Sequence, residues 1–194
     1  MRSFLIFMTV VFSLVAMVPN TYAITYDFSE LGFEAGKNIA GETIGEGTYT
    51  SETGNLYYTI YFGGGLHASL DALADIYIDF SVGVSNLFFT AGDGVGDFDA
   101  FNVSLYEFGS GGLLGTFSSP VFGGDNEPEW YTLLTNVSNV GRVVFDPKSS
   151  SGGVVLTELG YEVNTAPVPE PSTVLLLGSG LVCLAWYGRK RKKA

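Results

Sequence analysis

The sequence has few of the side chains from which most catalytic and zinc sites are built. Its 194 residues include one cysteine, Cys183, and one histidine, His67. Zinc is held mainly by several Cys and His side chains, so this count excludes the common zinc sites. Cys183 lies in an apolar stretch near the C-terminus, and the rest of the chain therefore has no disulfide and no thiol nucleophile. We interpret His67, which follows three glycines, as a structural residue.

Basic residues are also scarce away from the two ends. The chain carries 9 Lys and Arg against 20 Asp and Glu, a formal charge of −11. Between residues 24 and 166 three basic residues stand against 19 acidic ones, a formal charge of −16. A surface this acidic repels phosphates, which argues against a nucleic-acid partner.

The N-terminus has the pattern of an export signal. Arg2 precedes an uncharged apolar run over residues 4–18, and residues 19–23 end in a small-x-small pattern at Ala23. This pattern predicts a secretory signal peptide over residues 1–23, cleaved after Ala23. An N-terminal membrane helix is the alternative, and the cleavage pattern favours the signal peptide.

The C-terminus combines a rigid motif, an apolar segment and a basic tail. Two prolines fix φ and remove backbone donors, so an extended tetrapeptide is predicted. Its residues are Val168, Pro169, Glu170 and Pro171.

The uncharged segment that follows the motif, 172–187, is 16 residues long. As a helix it would measure about 24 Å, a little short of the ~30 Å hydrocarbon core. We predict a single membrane-spanning helix there. The basic tail, residues 188–194, would hold this end in the cytoplasm through Arg189, Lys190, Arg191, Lys192 and Lys193.

The order of these three parts over residues 167–194 resembles the PEP-CTERM sorting signal of Gram-negative bacteria. The resemblance implies recognition by an exosortase, a membrane protease-transpeptidase that would cut at or near Val168–Pro171. It also implies export by the Sec and signal peptidase machinery and a transient stay in the inner membrane. The final location would be the cell surface or an extracellular matrix that contains exopolysaccharide. An ordinary C-terminal anchor with a proline-rich stalk is the alternative.

Residues 24–166 are predicted to form one all-β domain, a single β-sandwich of jelly-roll type. Short apolar or alternating runs are separated by turns rich in glycine, of which the chain has 26. Strands are predicted over 24–28, 56–62, 76–82, 87–90, 101–108, 113–117, 130–135, 142–145 and 154–163. Residues 32–55 are interpreted as a long loop or an irregular first hairpin, and 67–74 as one helical turn.

The sequence from residue 76 to residue 163 resembles the jelly-roll ectodomains of PEP-CTERM proteins. Two of the similar stretches are Val103-Ser104-Leu105-Tyr106 and Trp130-Tyr131-Thr132-Leu133. Those domains are similar in turn to carbohydrate-binding modules. The final strand departs from the pattern, because Thr157-Glu158 stands where such domains often carry Asp-Asn or Asp-Asp.

A glycine-rich acidic loop over residues 91–100 is the candidate metal site. Asp93, Asp97 and Asp99 lie within seven residues of one another. Three carboxylates on a tightly turning loop can converge on Ca²⁺, a hard cation that takes six to eight oxygen ligands. A bound Ca²⁺ would have a structural role. The alternative is a solvated acidic turn between two strands.

A second stretch combines polar groups with aromatic rings. Asp125, Asn126 and Trp130 are candidate sugar contacts, although a Trp130 that points into the core is the interpretation we favour. Glu127 and Glu129 form a possible acid-base pair of the kind that glycosidases use. No other feature supports catalysis.

These observations predict a secreted, non-enzymatic β-sandwich protein that an exosortase processes. Its predicted function is that of a structural or adhesive component associated with exopolysaccharide in a biofilm matrix. The alternative is a Ca²⁺-dependent, lectin-like carbohydrate-binding module. A polysaccharide hydrolase is a lesser alternative.

Overall fold

The computed structural model describes residues 20–59, 64–67, 74–93, 98–124, 129–149, 153–165 and 180–181. The chain divides into two compact units. One is Thr21–Asn164, and the other combines Met1–Asn20 with Thr165–Ala194. The fold described below is that of Thr21–Asn164.

Twelve β-strands and one short 3₁₀ helix, Phe28–Leu31, are described. The strands are β1 (Asn20–Asp27), β2 (Thr43–Ile44), β3 (Gly47–Ser51), β4 (Tyr57–Thr59), β5 (Gly65–His67), β6 (Ile76–Asp93), β7 (Phe98–Glu107), β8 (Leu113–Ser118), β9 (Phe122–Gly123), β10 (Glu129–Leu134), β11 (Val140–Ser149) and β12 (Val155–Thr165). Every pairing whose register is described is antiparallel, as short strands joined by tight glycine turns lead one to expect.

Strand β6 belongs to both layers of the fold. Its first half pairs with β3 and β11, and its second half pairs with β10 and β12. The change of partners falls near Asn86, whose positive φ of 52° lets the strand turn without ending. The prediction of two separate strands, 76–82 and 87–90, is therefore wrong. Val84 between them still pairs with Val140 and Val163, so the backbone stays extended.

The two layers follow from this exchange of partners. The first has the order β2-β3-β6-β11-β7-β8, and the second has β10-β6-β12-β5-β4. Their inner faces pack on each other. The rings of Phe80 and Tyr161 lie 5.0 Å apart between the layers, and those of Phe101 and Tyr131 lie 6.3 Å apart. The prediction of an all-β sandwich is confirmed, and its jelly-roll arrangement stays a prediction.

Alternation along the strands decides which side chains reach the surface. Ile76, Ile78 and Phe80 of β6 are buried, whereas Tyr77 and Asp79 between them point outward. The same period of two runs through β7 and β11. Each layer therefore has an outer face of its own, made from every second residue.

Several local predictions are resolved at the edges of the sandwich. Residues 43–51 form the hairpin that was one of two interpretations of this region. His67 ends strand β5, so the predicted helical turn over 67–74 does not begin there, and residues 68–73 lie outside the described part. The predicted cleavage site at Ala23 falls within β1, and cleavage there would leave Ile24 to Asp27 of this strand.

Candidate functional site

The outer face of the first layer carries a groove with a volume of about 660 Å³. Its floor comes from three neighbouring strands, β6, β11 and β7, and its wall from the turn that follows β7. We call it the tyrosine groove, after its two tyrosines, Tyr77 and Tyr106. Its lining residues are Tyr77, Asp79, Phe80, Tyr106, Glu107, Phe108, Gly109, Gly111, Gly141, Arg142 and Val144.

Strand register brings the polar groups of the groove together. Arg142 on β11 lies opposite Asp79 on β6 and opposite Tyr106 on β7, while Tyr77 lies opposite Val144. Neighbouring strands are about 4.8 Å apart, so these side chains share one surface even though they lie far apart in the sequence.

An ion pair crosses the centre of this surface. Arg142 donates two hydrogen bonds to Asp79, from Nε to Oδ1 at 2.5 Å and from Nη2 to Oδ2 at 3.0 Å. The hydrogen bond that Asp79 accepts raises the pKa of Arg142, so the guanidinium stays charged. Both side chains remain about half exposed, at 55% and 42%, and a ligand can therefore reach them. A two-point pair of this kind fixes the plane of the guanidinium.

The two tyrosines supply rings and hydroxyl groups beside this pair. Loss of solvation raises the pKa of Tyr77, and the carboxylates of Asp75 and Glu52 raise it further. Tyr77 therefore stays a neutral hydroxyl that both donates and accepts hydrogen bonds. Ring faces next to fixed donors and acceptors suit a ligand that has hydroxyl groups at its edges and flat C–H faces.

None of the described residues that line the groove is among those that the sequence singled out for sugar binding. Trp130 lies on β10 in the other layer, and Asp125 and Asn126 lie outside the described residues. The side chain of Trp130 is 44% exposed, so the interpretation that it points into the core is wrong. Its neighbours on β10, Tyr131 and Leu133, face inward instead, which leaves Trp130 on the outer surface.

The suggested acid-base pair is only partly described. Glu129 accepts a hydrogen bond from the backbone N–H of Gly123 at 2.7 Å, which ties β10 to β9. Glu127 lies outside the described residues. The contact of Glu129 is structural, because it joins a carboxylate to the backbone of a neighbouring strand.

The predicted calcium ligands do not all belong to a loop. Asp93 is the last residue of β6, and Asp99 is the second residue of β7, where its side chain is fully buried. The loop between these strands is therefore shorter than predicted. Asp97 and the side chain of Asp93 lie outside the described part, so the calcium site stays a prediction.

A signal for the groove was present in the sequence. Within the predicted strands, Tyr77 and Asp79 alternate with isoleucine and phenylalanine, which marks them as outward residues. Arg142 is one of only three basic residues between 24 and 166. The alternation does not show that β11 lies between β6 and β7, and this order is what makes the three residues neighbours.

Comparison with known proteins identifies the C-terminal signal. Residues 167–192 match the family model of the PEP-CTERM protein-sorting motif, which confirms the recognition made from the sequence. The chain thus carries a PEP-CTERM sorting motif. A search of curated proteins finds no match.

Among the residues that the structure describes, no helix reaches the length and hydrophobicity that a membrane span requires. The predicted span 172–187 lies outside that part except for residues 180–181.

Among solved structures, family 29 carbohydrate-binding modules resemble the chain loosely. One from Piromyces equi is 10% identical, with a TM-score of 0.42, over 73% of this chain and 91% of that one. A mutant of a family 29 module is 10% identical, with a TM-score of 0.35, over 74% and 89%. A third, a mutant complexed with cellulohexaose, is 11% identical, with a TM-score of 0.33, over 75% and 90%. These scores are too low to establish a shared fold, so the architecture rests on the strand pairing.

Proposed function

We propose that the protein is a non-enzymatic component of a bacterial surface or matrix that binds polysaccharide in its tyrosine groove. The observation that carries this proposal is the position of Tyr77 and Tyr106 on either side of the Arg142–Asp79 pair, on one exposed face. Aromatic rings can stack on the apolar faces of sugar rings, and the polar pair can bind their hydroxyl groups.

The charge of the domain narrows the class of polysaccharide. The excess of acidic residues between 24 and 166 repels uronic acids and sulfated sugars. Within the groove, Arg142 is already paired with Asp79, and Glu107 adds a second carboxylate. A neutral polysaccharide is therefore the ligand that this surface favours.

The test is thermal unfolding of the full chain in mild detergent with laminarin or galactomannan, which are neutral, and with alginate, which is anionic. A ligand present at about 100 times its Kd adds roughly 2.7 kcal/mol, which is several degrees in Tm. We expect a shift with at least one neutral polymer and none with alginate. Tyr77→Ala and Tyr106→Ala should reduce the shift, and Tyr57→Ala, at a half-buried tyrosine in the other layer, should leave it unchanged.

Two outcomes would contradict the glycan proposal. One is the absence of any shift with the neutral polymers, and the other is an equal shift in the groove variants. A release of reducing ends from these polymers would instead support the hydrolase alternative. If a polymer shifts Tm equally in the presence of Ca²⁺ and in the presence of EDTA, the calcium-dependent version of the lectin hypothesis is removed.

We also propose that the C-terminal motif routes the protein through an exosortase. The match over residues 167–192 supports this, together with the basic residues that follow the apolar segment. Replacing Pro169 and Pro171 by Ala should leave export intact and hold the full-length protein in the inner membrane. The measurement is an immunoblot of membrane and surface fractions, and unchanged processing in this variant would contradict the proposal.

A further inference from the structure

The outer face of the second layer carries a surface that the tyrosine groove does not include. Its centre is Trp130 on β10, which lies opposite Gly92 of β6 in the strand register. A β-carbon on Gly92 would overlap the Trp130 ring, so the indole lies directly against bare backbone. One face of the ring is thus supported by the sheet while 44% of the side chain stays exposed.

The same arrangement occurs a second time, further along the sheet. Phe88 of β6 lies opposite Gly160 of β12, and a β-carbon on Gly160 would overlap the Phe88 ring. Leu134, paired with Phe88 on the other side, is 72% exposed. Two glycines therefore seat two aromatic rings on one face, four residues apart along β6. At about 3.3 Å per residue this separation is roughly 13 Å.

A row of polar groups fills the space between the two rings. The hydroxyl of Thr90 donates to Glu158 Oε2 at 3.0 Å. Because a hydroxyl has one proton, the 2.9 Å contact between Thr90 and Thr132 has Thr132 as the donor. We call the whole surface the tryptophan strip, made of Trp130, Thr132, Thr90, Glu158, Phe88 and Leu134. Its rings, supported by the sheet, can stack on the apolar faces of sugar rings. The hydrogen-bonding groups between them can bind the sugar hydroxyl groups.

The strip and the groove face in opposite directions. The groove uses outward residues of the first layer, and the strip uses outward residues of the second. The inner faces of the layers are in contact through the Phe80–Tyr161 and Phe101–Tyr131 pairs. Two ligands bound at these surfaces would therefore lie on either side of a sandwich whose sheets are about 10 Å apart.

We propose that the tryptophan strip is a second site for neutral polysaccharide, and that the protein cross-links two chains of it. This inference rests on the proposed function, because the groove supplies the other site. The charge of the strip argues for a neutral ligand, since Glu158 is its charged member and no residue of the strip is basic. Two weak sites on opposite faces would hold a network by avidity rather than by tight binding at either one.

The first measurement follows Trp130 itself. Trp130 and Trp186 are the two tryptophans, so Trp186→Phe in the full chain leaves Trp130 as the single indole emitter. Titration with laminarin or galactomannan should change its emission. The response should persist when Tyr77→Ala and Tyr106→Ala are added, because those residues lie on the other face. No response to a polymer that shifts Tm would overturn the second site and leave the proposed function standing.

The second measurement tests cross-linking directly. Beads coated with the neutral polymer are loaded with the full chain, at a detergent excess that keeps two copies out of one micelle. They are then offered the same polymer carrying a fluorophore. Capture of the labelled polymer should fall by about tenfold or more in Trp130→Ala and in the groove variant, although each variant still binds the bead. Leu113→Ala, at an exposed residue outside both surfaces, is the matched control and should capture normally.

Three further outcomes would overturn the inference that the protein cross-links polysaccharide. Normal capture by Trp130→Ala would overturn the inference. Loss of all bead binding in Trp130→Ala, with the groove variants unaffected, would place the only glycan site on the strip and overturn the two-site cross-linker. A dimer by size measurement that Trp130→Ala converts to a monomer would show that a second copy of the chain covers the strip, which also overturns it.

Discussion

The two outer faces of the sandwich are built by different means. In the tyrosine groove an ion pair between Arg142 and Asp79 sets the geometry, and both partners are exposed. In the tryptophan strip, missing side chains at Gly92 and Gly160 set the geometry, because the rings occupy the space that a β-carbon would need. The groove is thus organised by charge and the strip by packing. This difference predicts that mutations on the strip affect stability more than mutations in the groove do.

The largest effect should come from the core that both faces share. Phe101 is fully buried and contacts the rings of Phe145, Phe122 and Tyr131. Phe101→Ala should lower the free energy of unfolding by about 3–5 kcal/mol in urea denaturation. Phe98→Ala on the same strand, at a side chain that is 66% exposed, should cost less than about 1 kcal/mol. Similar losses for the two variants would mean that Phe101 is not part of a tightly packed interface between the layers.

A smaller effect should follow from filling the space under a ring of the strip. Gly160→Ala places a β-carbon where the Phe88 ring lies, and the resulting displacement should cost about 1 kcal/mol or more. Gly112→Ala is the matched control, since the nearest atom to its added β-carbon would be Ser110 Oγ at 3.5 Å. That variant should be neutral or stabilising by up to about 1 kcal/mol. Chemical denaturation measures both, and a stabilised Gly160→Ala would contradict the close contact between ring and backbone.

The ion pair in the groove should contribute still less to stability. A double-mutant cycle on Arg142→Ala and Asp79→Ala should give a coupling of about 0.2–1 kcal/mol, because exposed pairs gain little over solvated charges. The coupling should decrease as salt is added. A coupling above about 2 kcal/mol that is insensitive to salt would mean that the pair is shielded from solvent. The contrast between a face organised by charge and one organised by packing would then fail.

The sequence predicted the components of these faces better than their arrangement. Alternating polar and apolar residues located most of the strands, since a half-buried strand needs little more than a period of two. Gly83 and Asn86 resemble turn residues, so the local sequence favours two strands where the structure has the long strand β6. In the structure one extended strand runs through both residues, and its change of partners falls near Asn86, which has a positive φ. That exchange is a tertiary event, and local sequence carries no record of it.

Trp130 shows the same limit at a single residue. A large aromatic residue in a predicted strand suggests the core, because burying it is favourable. The structure shows it outside because Gly92, 38 positions earlier, provides the surface on which it lies. The sorting motif, in contrast, is a continuous stretch of sequence, so Val168 to Pro171 could be recognised without knowledge of the fold.

The smallest effect concerns acidic repulsion at the end of β6 nearest the groove. Partial burial raises the pKa of Asp75, with further contributions from Asp146 and Glu52 that Lys148 only partly offsets. A raised carboxyl pKa means that the folded state binds the proton more tightly than the unfolded state does. This group therefore favours folding less and less as the pH rises through its titration range. Asp75→Asn removes the charge, so the variant should be more stable than the wild type at pH 7, by up to about 0.5 kcal/mol.

The difference between Asp75→Asn and the wild type should vanish below about pH 3, where the carboxyl group is protonated in both states. Asp75→Glu keeps a carboxylate at this position and should keep the wild-type pH dependence. Urea denaturation from about pH 2 to about pH 8 measures all three proteins. If the free energies of unfolding of Asp75→Asn and the wild type differ by a constant amount across this range, the effect comes from hydrogen bonding rather than from charge. The repulsion of Asp75 by Asp146 and Glu52 would then lose its support.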